Sequence, residues 1–401
     1  MKVLLVNKFH YEKGGSERYY FNLAKGFLDA GDSVIYFAMQ SDKNLDSQTK
    51  DYFVKEKNVN GSFLQKIKFI FSMNYSKEAY SKMYSLVEKE KPDLVILNLV
   101  HKHLTTSIIK AIKDYDKNIP ILWTMHDYIT VCPAYTMLNG KGENCEDCLT
   151  LGSKCVVKNK CIGNSTLQSI LAKREYDFIR KKGYYNLVDA YICPSQFMLN
   201  ALERGNFTTS KLVKMYNPIL DEICVAKHKE GGEYLLFVGR LESYKGVRLL
   251  LSAVKDTDKK VVIVGTGPEE KALKEYALDN NINAEFVGYK NQEEVFEYFK
   301  NAKAVVIPSL WQENCPYVAL ESMARATPII ANSVGGLKEL VNGSKNGYLF
   351  SDLESLKTVI EKIYSLSKEE YIEMSKNCLQ VISEQFNMQK YIENLKNIIN
   401  K

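Results

Sequence analysis

The sequence predicts an α/β protein built from two doubly wound, Rossmann-like domains, each around a parallel sheet. Three observations carry this. Apolar runs of about four to six residues recur without polar alternation, the pattern of strands buried on both faces. Amphipathic stretches of helical period lie between them. The series starts afresh near residue 233, just after a polar stretch containing Asn217-Pro218 and Lys227-His228-Lys229-Glu230-Gly231-Gly232.

Taken in order, the first-half strands are expected at Val3 to Val6, Val34 to Ala38, Leu94 to Leu97, Ile121 to Met125 and Tyr191 to Cys193. Those of the second half are expected at Tyr234 to Val238, Val261 to Val264, Ala284 to Val287, Ala304 to Ile307, Pro328 to Ala331 and Tyr348 to Phe350. Phe21-x2-Ala24-x2-Phe27-Leu28 and Leu249-Leu250-Leu251-x2-Val254 supply helices between them. The expected domains are 1–218 and 219–385, with a last helix over 386–401 that can return to the first domain. In open α/β sheets ligands sit beyond the C-terminal strand ends, and two such edges facing each other would make one shared cleft.

The 401 residues suit two or three domains. With 45% apolar and 25% charged residues, neither disorder nor a collagen-like fibre fits. No run approaches the ~20 apolar residues of a membrane-spanning helix. Val3 to Val6 is too short for a signal-peptide core, so a cytoplasmic location is expected. The net charge of +6 is uneven: residues 1–218 hold 31 Lys and Arg against 22 Asp and Glu, and the rest hold 23 against 26. An excess of this kind fits either a solvated surface or an anionic partner such as nucleic acid, an acidic membrane or a phosphorylated substrate.

Five motifs sit at expected C-terminal strand ends. Gly14-Gly15-Ser16-Glu17 opens the first helix; it suits a ligand phosphate at a helix N-terminus, or simply a turn capped by Ser16. It is not G-x-G-x-x-G, which argues against a dinucleotide. Val238-Gly239-Arg240-Leu241-x3-Lys245-Gly246 puts a planar guanidinium and a compact ammonium on one loop, enough to hold a diphosphate; the plain alternative is two solvated cations. Glu313-x7-Glu321 flanks a helix start at Pro316. Two carboxylates so placed could grip two sugars on either side of a phosphate, or could be helix-start acids favoured by the dipole. His126 follows the fourth strand. Gly265-Thr266-Gly267-Pro268 is a tight turn that lacks the P-loop Lys-Ser/Thr. Asp114-x-Asp116 and Asp256-x-Asp258 follow helices, away from those ends, and read as turns.

Cys132, Cys145, Cys148, Cys155 and Cys161 fall within thirty residues around Asn139-Gly140-Lys141-Gly142, in what reads as a loop excursion. Cys-x2-Cys with further Cys nearby fits a structural zinc or iron–sulfur site; free thiols and disulfides are the alternatives. Cys193, Cys224, Cys315 and Cys378 are scattered.

With these residues in place, the chain resembles the retaining glycosyltransferases of family 4, which have the GT-B fold of two Rossmann-like domains facing a central cleft. The matching segments are GGSERYYFNLAKGFLDAGDSV, His126-Asp127-Tyr128, Cys193-Pro194-Ser195, VGRLESYKG from Val238, VGTGPEEKALKE, FVGYKNQEEV and the stretch Pro308 to Val341, where Glu313-x7-Glu321 is followed by Gly335-Gly336. A Cys-rich insert after the HDY motif is similar to one in a subset of that family.

The resemblance implies roles. Arg240 and Lys245 would bind a donor diphosphate, and Glu321 the ribose. Glu313 would face a hexose, with the backbone of Cys315, Pro316, Tyr317 and Val318 near hexose and phosphate. His126 would contact the sugar near the reaction centre. Gly15, Gly239 and Gly267 would approach the donor, and the turn at Tyr289 would border the base. It implies a UDP-sugar in preference to other donors, no catalytic cofactor, and a glycan or polyprenyl-diphosphate-linked acceptor in surface polysaccharide synthesis. Nucleic acid is not an expected partner. Phe63 to Phe71, with Lys66 and Lys68, and the helix carrying Lys173-Arg174 and Arg180-Lys181-Lys182 are expected to touch an anionic membrane, or to be core helices with solvated faces. The alternatives are another GT-B enzyme, such as an epimerase, and a non-catalytic binding module.

Overall fold

A computed structural model describes residues 1–56, 73–220 and 227–400. The segment 63–71 and Cys224 lie outside them. The chain folds as two compact units, Met1–Met215 with Met388–Lys401, and Tyr216–Asn387. Two six-stranded parallel sheets make this a GT-B architecture.

The first unit holds β1 (Lys2–Val6), β2 (Ser33–Phe37), β3 (Leu94–Leu97), β4 (Ile121–Thr124), β5 (Ala190–Cys193) and β6 (Lys211–Lys214), in the order β2-β1-β3-β4-β5-β6. Val3 to Val6 and Leu94 to Leu97 are fully buried, as unalternating apolar strands must be when helices cover both faces. The helix Gly15–Asp29 buries Tyr19, Tyr20, Leu23 and Phe27, spaced at three and four, against that sheet. The last helix, Met388–Ile399, packs on that first helix. A Cβ on Gly26 would sit 2.6 Å from Met388 Sδ, so the Met388 side chain would have to shift to admit one. Lys396 closes on Asp32 at 2.6 Å, and the Tyr391 hydroxyl meets that of Tyr19 at 2.9 Å.

Strand β6 was not expected from the sequence. It is the sheet edge and pairs only with β5; Leu212 and Val213 stay half-exposed between two lysines, so its apolar signal is weak. The cysteine-rich segment also differs from a loop excursion. It forms short helices at Asp147–Thr150 and Lys154–Lys158, and Cys132, Leu149 and Val156 are buried in the core of the unit.

The second unit holds β7 (Tyr234–Val238), β8 (Val261–Val264), β9 (Ala284–Gly288), β10 (Ala302–Ile307), β11 (Ile329–Asn332) and β12 (Gly347–Phe350). Their order is β12-β11-β10-β7-β8-β9. The strand order reverses between β7 and β10, the place where doubly wound sheets bind ligands. In the first unit the reversal lies between β1 and β3. No helix among the described residues is long and apolar enough to cross a membrane.

Candidate active site

In the second unit, three loops at the C-terminal strand ends are laced together. Gly239 N–H donates to Val264 O at 3.0 Å, Leu241 N–H to Thr266 O at 3.0 Å, and Gly265 N–H to Gly288 O at 2.8 Å. The glycines make this possible. A Cβ on Gly265, whose φ is +129°, would fall 1.9 Å from Gly239 O, and one on Gly267 would fall 2.4 Å from Leu241 O. Arg240 is therefore carried on a rigid platform. Its side chain is 70% exposed and rests on Glu242 at 2.6 Å.

Across the reversal point, Lys245 donates to Glu313 Oε1 at 2.6 Å. It ends a short 3₁₀ turn after β7, Ser243–Lys245, whereas Glu313 lies in the loop after β10. Leu310 N–H donates to Tyr244 O at 2.8 Å and locks the two loops together. Ser309 Oγ also donates to Glu313 Oε1, at 2.8 Å, and Gly336 N–H donates to the Glu313 carbonyl at 2.6 Å. Burial alone would raise the Glu313 carboxyl, but Lys245 and the hydroxyl of Ser309 hold it below the ordinary range. It is a buried carboxylate kept ionised by a cation. Lys245 Nζ also lies 5.1 Å from the centre of the Trp311 ring.

The helix Tyr317–Ala324 follows, with Pro316 as its N-cap at φ −71°, just ahead of the first turn. Glu321 is buried inside it and accepts from Gln292 Nε2 at 3.3 Å. Cys315 and Tyr317 are buried: the Cys315 carbonyl takes Asn217 Nδ2 at 2.9 Å, and the Tyr317 hydroxyl donates to Pro218 O at 3.0 Å. Burial pushes the Cys315 thiol up to about 12. The Asn217 and Tyr317 side chains hold the helix start in place. Val318 is half-buried against the core. Tyr289 is 76% exposed just beyond β9.

In the first unit, His126 Nε2 lies 2.9 Å from Asn98 Oδ1. Asn98 Nδ2 donates to Val6 O at 3.2 Å, which fixes the amide orientation, so the imidazole proton sits on Nε2. Burial holds His126 down to about 3. Tyr19 packs edge-on to it at 5.0 Å between ring centroids. Gly15 is exposed at the start of its helix, after an N-cap Gly14 that provides no side-chain cap.

These two sites can be compared with known proteins. Residues 13–222 match the family model for Glycosyltransferase Family 4, and residues 221–381 match that for Glycosyl transferases group 1. The chain belongs to glycosyltransferase family 4. A glycosyltransferase of Methanocaldococcus jannaschii is 33% identical over 45% of this chain and 50% of its own length. One of Haemophilus influenzae is 32% identical over 49% of this chain and 58% of its own. The chain thus spans about half the length of the curated relatives it matches. Among solved structures, sucrose-phosphate synthase from Thermosynechococcus elongatus superposes with a TM-score of 0.71 at 18% identity, covering 99% of this chain and 98% of that one. The Anabaena protein HepE in complex with UDP gives 0.67 at 16%, covering 99% and 100%.

In this family 4 glycosyltransferase the five clustered cysteines do not form a closed thiolate set. Among the described residues, no three His, Cys, Asp or Glu side chains are gathered as metal ligands. The neighbouring Cys132 and Cys148 thiols act on each other, which lowers the first and raises the second; Cys155 and Cys161 also lie near enough to raise Cys148, and Cys161 is raised to about 11, chiefly by burial. Cys132, Cys145, Cys148, Cys155 and Cys161, the residues expected to hold zinc, lie near one another in the first unit. Asp114 is engaged by Lys110 and by the Tyr80 hydroxyl. Arg180 donates to Gly205 O, and Lys173 pairs with Asp177. Sequence reasoning passed over Asn98, Ser309 and Gln292, because a lone amide or hydroxyl just after a strand or at a helix start has no pattern.

Proposed function

We propose that this chain is a retaining hexosyltransferase that moves a sugar from a nucleotide-sugar, with UDP-sugars favoured, to a glycan or lipid-linked glycan of a bacterial surface polysaccharide. The observation that carries the reading is the Lys245–Glu313 pair at 2.6 Å across the β7/β10 reversal point, beside the glycine-built platform of Arg240. In this reading Arg240 and Lys245 receive the diphosphate. Glu321 accepts ribose hydroxyls, Glu313 faces the hexose, Tyr289 borders the base, and His126 contacts the sugar as a neutral imidazole. Gly15, Gly239 and Gly267 leave room for the donor, and the backbone from Cys315 to Val318 lies near the phosphate and hexose.

The bond from the anomeric carbon to the diphosphate oxygen breaks. The acceptor oxygen bonds to that carbon from the same face, and its proton passes to the departing diphosphate. Fixed cations then meet charge that grows only as the bond breaks, the kind of preorganised effect that contributes most to many rate enhancements. Further support comes from HepE, solved with UDP, and from a relative named O-antigen chain mannosyltransferase C of Escherichia coli, 34% identical over 29% of this chain. Peripheral attachment to the inner face of an anionic membrane belongs to the same proposal. The test is a hydrolysis screen across UDP-, GDP- and ADP-sugars, followed by mass spectrometry of lipid extracts. One donor should release its nucleotide diphosphate and yield a new glycoside. Isomerised sugar, or no release from any donor, overturns the reading.

A further inference from the structure

The first unit carries a concentration of positive charge that the roles above leave unused. Lys8 stands two residues beyond β1, Lys13 lies in the loop before the helix Gly15–Asp29, and Lys102 lies in the turn after β3. All three belong to the C-terminal ends around the β1/β3 reversal point. Lys8 and Lys13 both face the Phe9 ring, with Nζ 4.8 and 3.8 Å from its centre. Lys102 Nζ lies 5.3 Å from the centre of the exposed Tyr135 ring, and its backbone is held at φ +69°. That is an uncommon conformation for a lysine.

Among the described residues none of these ammonium groups is in an ion pair. Two carboxylates are close enough to influence Lys8, Glu17 and Asp127. Each is held by neutral donors and stays out of direct contact with the ammonium groups: Glu17 takes Asn7 Nδ2 at 3.2 Å and Ser16 Oγ at 3.0 Å, and Asp127 Oδ1 takes the Ile129 N–H at 3.0 Å. Half-buried Lys8 thus has two like charges beside it, and the three ammonium groups share two carboxylates at longer range, which leaves an excess of positive charge. Burial and the two neighbouring ammonium groups hold Lys8 down to about 8 against the opposing pull of Glu17 and Asp127. An arrangement that disfavours its own charge is relieved by an anionic ligand.

We propose that Lys8, Lys13 and Lys102 form a subsite for a phosphate or diphosphate group carried by the acceptor. The inference rests on the transferase reading, because it names the acceptor of that reaction. The donor diphosphate already has its cations on the second unit, Arg240 and Lys245, so the first unit's set serves the other substrate. Neutral hydroxyls would not need three ammonium groups, whereas a phosphate-linked acceptor end does. Binding the anion would also restore the proton that Lys8 holds weakly, so binding should take up protons near pH 8.

Isothermal titration tests this, with the donor site first saturated by the nucleotide diphosphate that the hydrolysis screen selects. Inorganic pyrophosphate and farnesyl diphosphate are then titrated into wild type and into Lys8→Gln, Lys13→Gln and Lys102→Gln. Lys13 is exposed, so its variant folds even if that of Lys8 does not. The expected result is pyrophosphate binding on top of the nucleotide, weakened about tenfold or more by each variant. Nucleotide affinity and donor hydrolysis should be unchanged, and heats should depend on buffer at pH 8. Tighter farnesyl diphosphate supports a lipid-linked acceptor, and equal affinity supports a phosphorylated glycan. Absence of pyrophosphate binding, indifference of all three variants, or a loss of nucleotide affinity in them overturns the proposal. Failure of every nucleotide to bind wild type instead overturns the transferase reading.

Discussion

Lys245 Nζ lies 2.6 Å from Glu313 Oε1 and joins the loop after β7 to the loop after β10. The pair spans the one place in this sheet where neighbouring strands lead their helices to opposite faces, and it adds a side-chain link to the Leu310 N–H to Tyr244 O bond between the same loops. It keeps a carboxylate ionised in a buried position and keeps an ammonium group oriented before any ligand arrives. The same contact therefore serves stability and preorganisation, and the two effects can be separated by choosing which residue to change.

Arg240→Ala should cost at least ~100-fold in turnover, by analogy with losses of ~10²–10³ on removing one charge-stabilising donor. Because the side chain is largely exposed and, among the described residues, pairs only with its loop neighbour Glu242, the melting temperature should hardly move. Steady-state kinetics on the selected donor and a thermal melt check both halves. Near-native turnover would remove the assigned role.

Glu313→Gln should behave differently. It keeps the shape of the side chain but leaves Lys245 without its counter-charge, in a position where only 23% of the lysine side chain is exposed. The expected loss is about 3 kcal/mol, the low end for breaking a buried pair. Denaturant titration reads it. The double change of Glu313→Gln with Lys245→Met should recover part of that stability while turnover stays lost.

Most of the sheet architecture was legible because the strands buried on both faces have no polar positions: Val3 to Val6 and Val261 to Val264 announce themselves. Strand β6 did not, because an edge strand with lysines at both ends satisfies its solvent-facing side with the residues that erase the signal. Charged site residues were legible by type, since Arg240, Lys245 and Glu313 lie just past apolar runs. Their pairing was not, for it depends on how far the loops after β7 and β10 extend. Asn98 orients His126 from a neighbouring strand end, which no spacing along the chain reveals.

Gly265→Ala should damage the donor side without touching a charged residue. The new methyl would meet Gly239 O at 1.9 Å, and φ +129° disfavours any side chain. A loss of about 2 kcal/mol or more in stability is expected, with weaker nucleotide binding because the Arg240 loop must move. Gly142→Ala is the control: its added Cβ meets nothing within 4 Å, so only the cost of its positive φ remains, and nucleotide binding should stay intact.

Three histidines, His10 buried and His101 and His126 half-buried, should govern the acid side of the stability profile. Burial holds His126 and His101 down to about 3 and His10 to about 4, from an ordinary value of 6.5. When the chain unfolds below pH 6.5, each imidazole takes a proton that the folded form refuses. Stability from each is thus fully present above 6.5 and is lost as pH falls toward the folded values. Asp127 acts in the opposite sense: burial raises it to about 6 from 3.8, so over that window the folded form holds a proton that the unfolded form has shed. The unfolding free energy should be flat with respect to these groups from pH 7 to 8 and should decline below 6, with Asp127 offsetting part of the slope. Urea titrations of wild type and His126→Asn between pH 4.5 and 8 isolate one proton: the variant's slope below pH 6 should be shallower by about 1.4 kcal/mol per pH unit. Turnover of wild type should likewise show no inflection at pH 6.5 from His126, since its imidazole is neutral throughout. An inflection there that disappears in His126→Asn would mean that the imidazole titrates as an exposed group, contrary to its burial beside Tyr19 and Asn98.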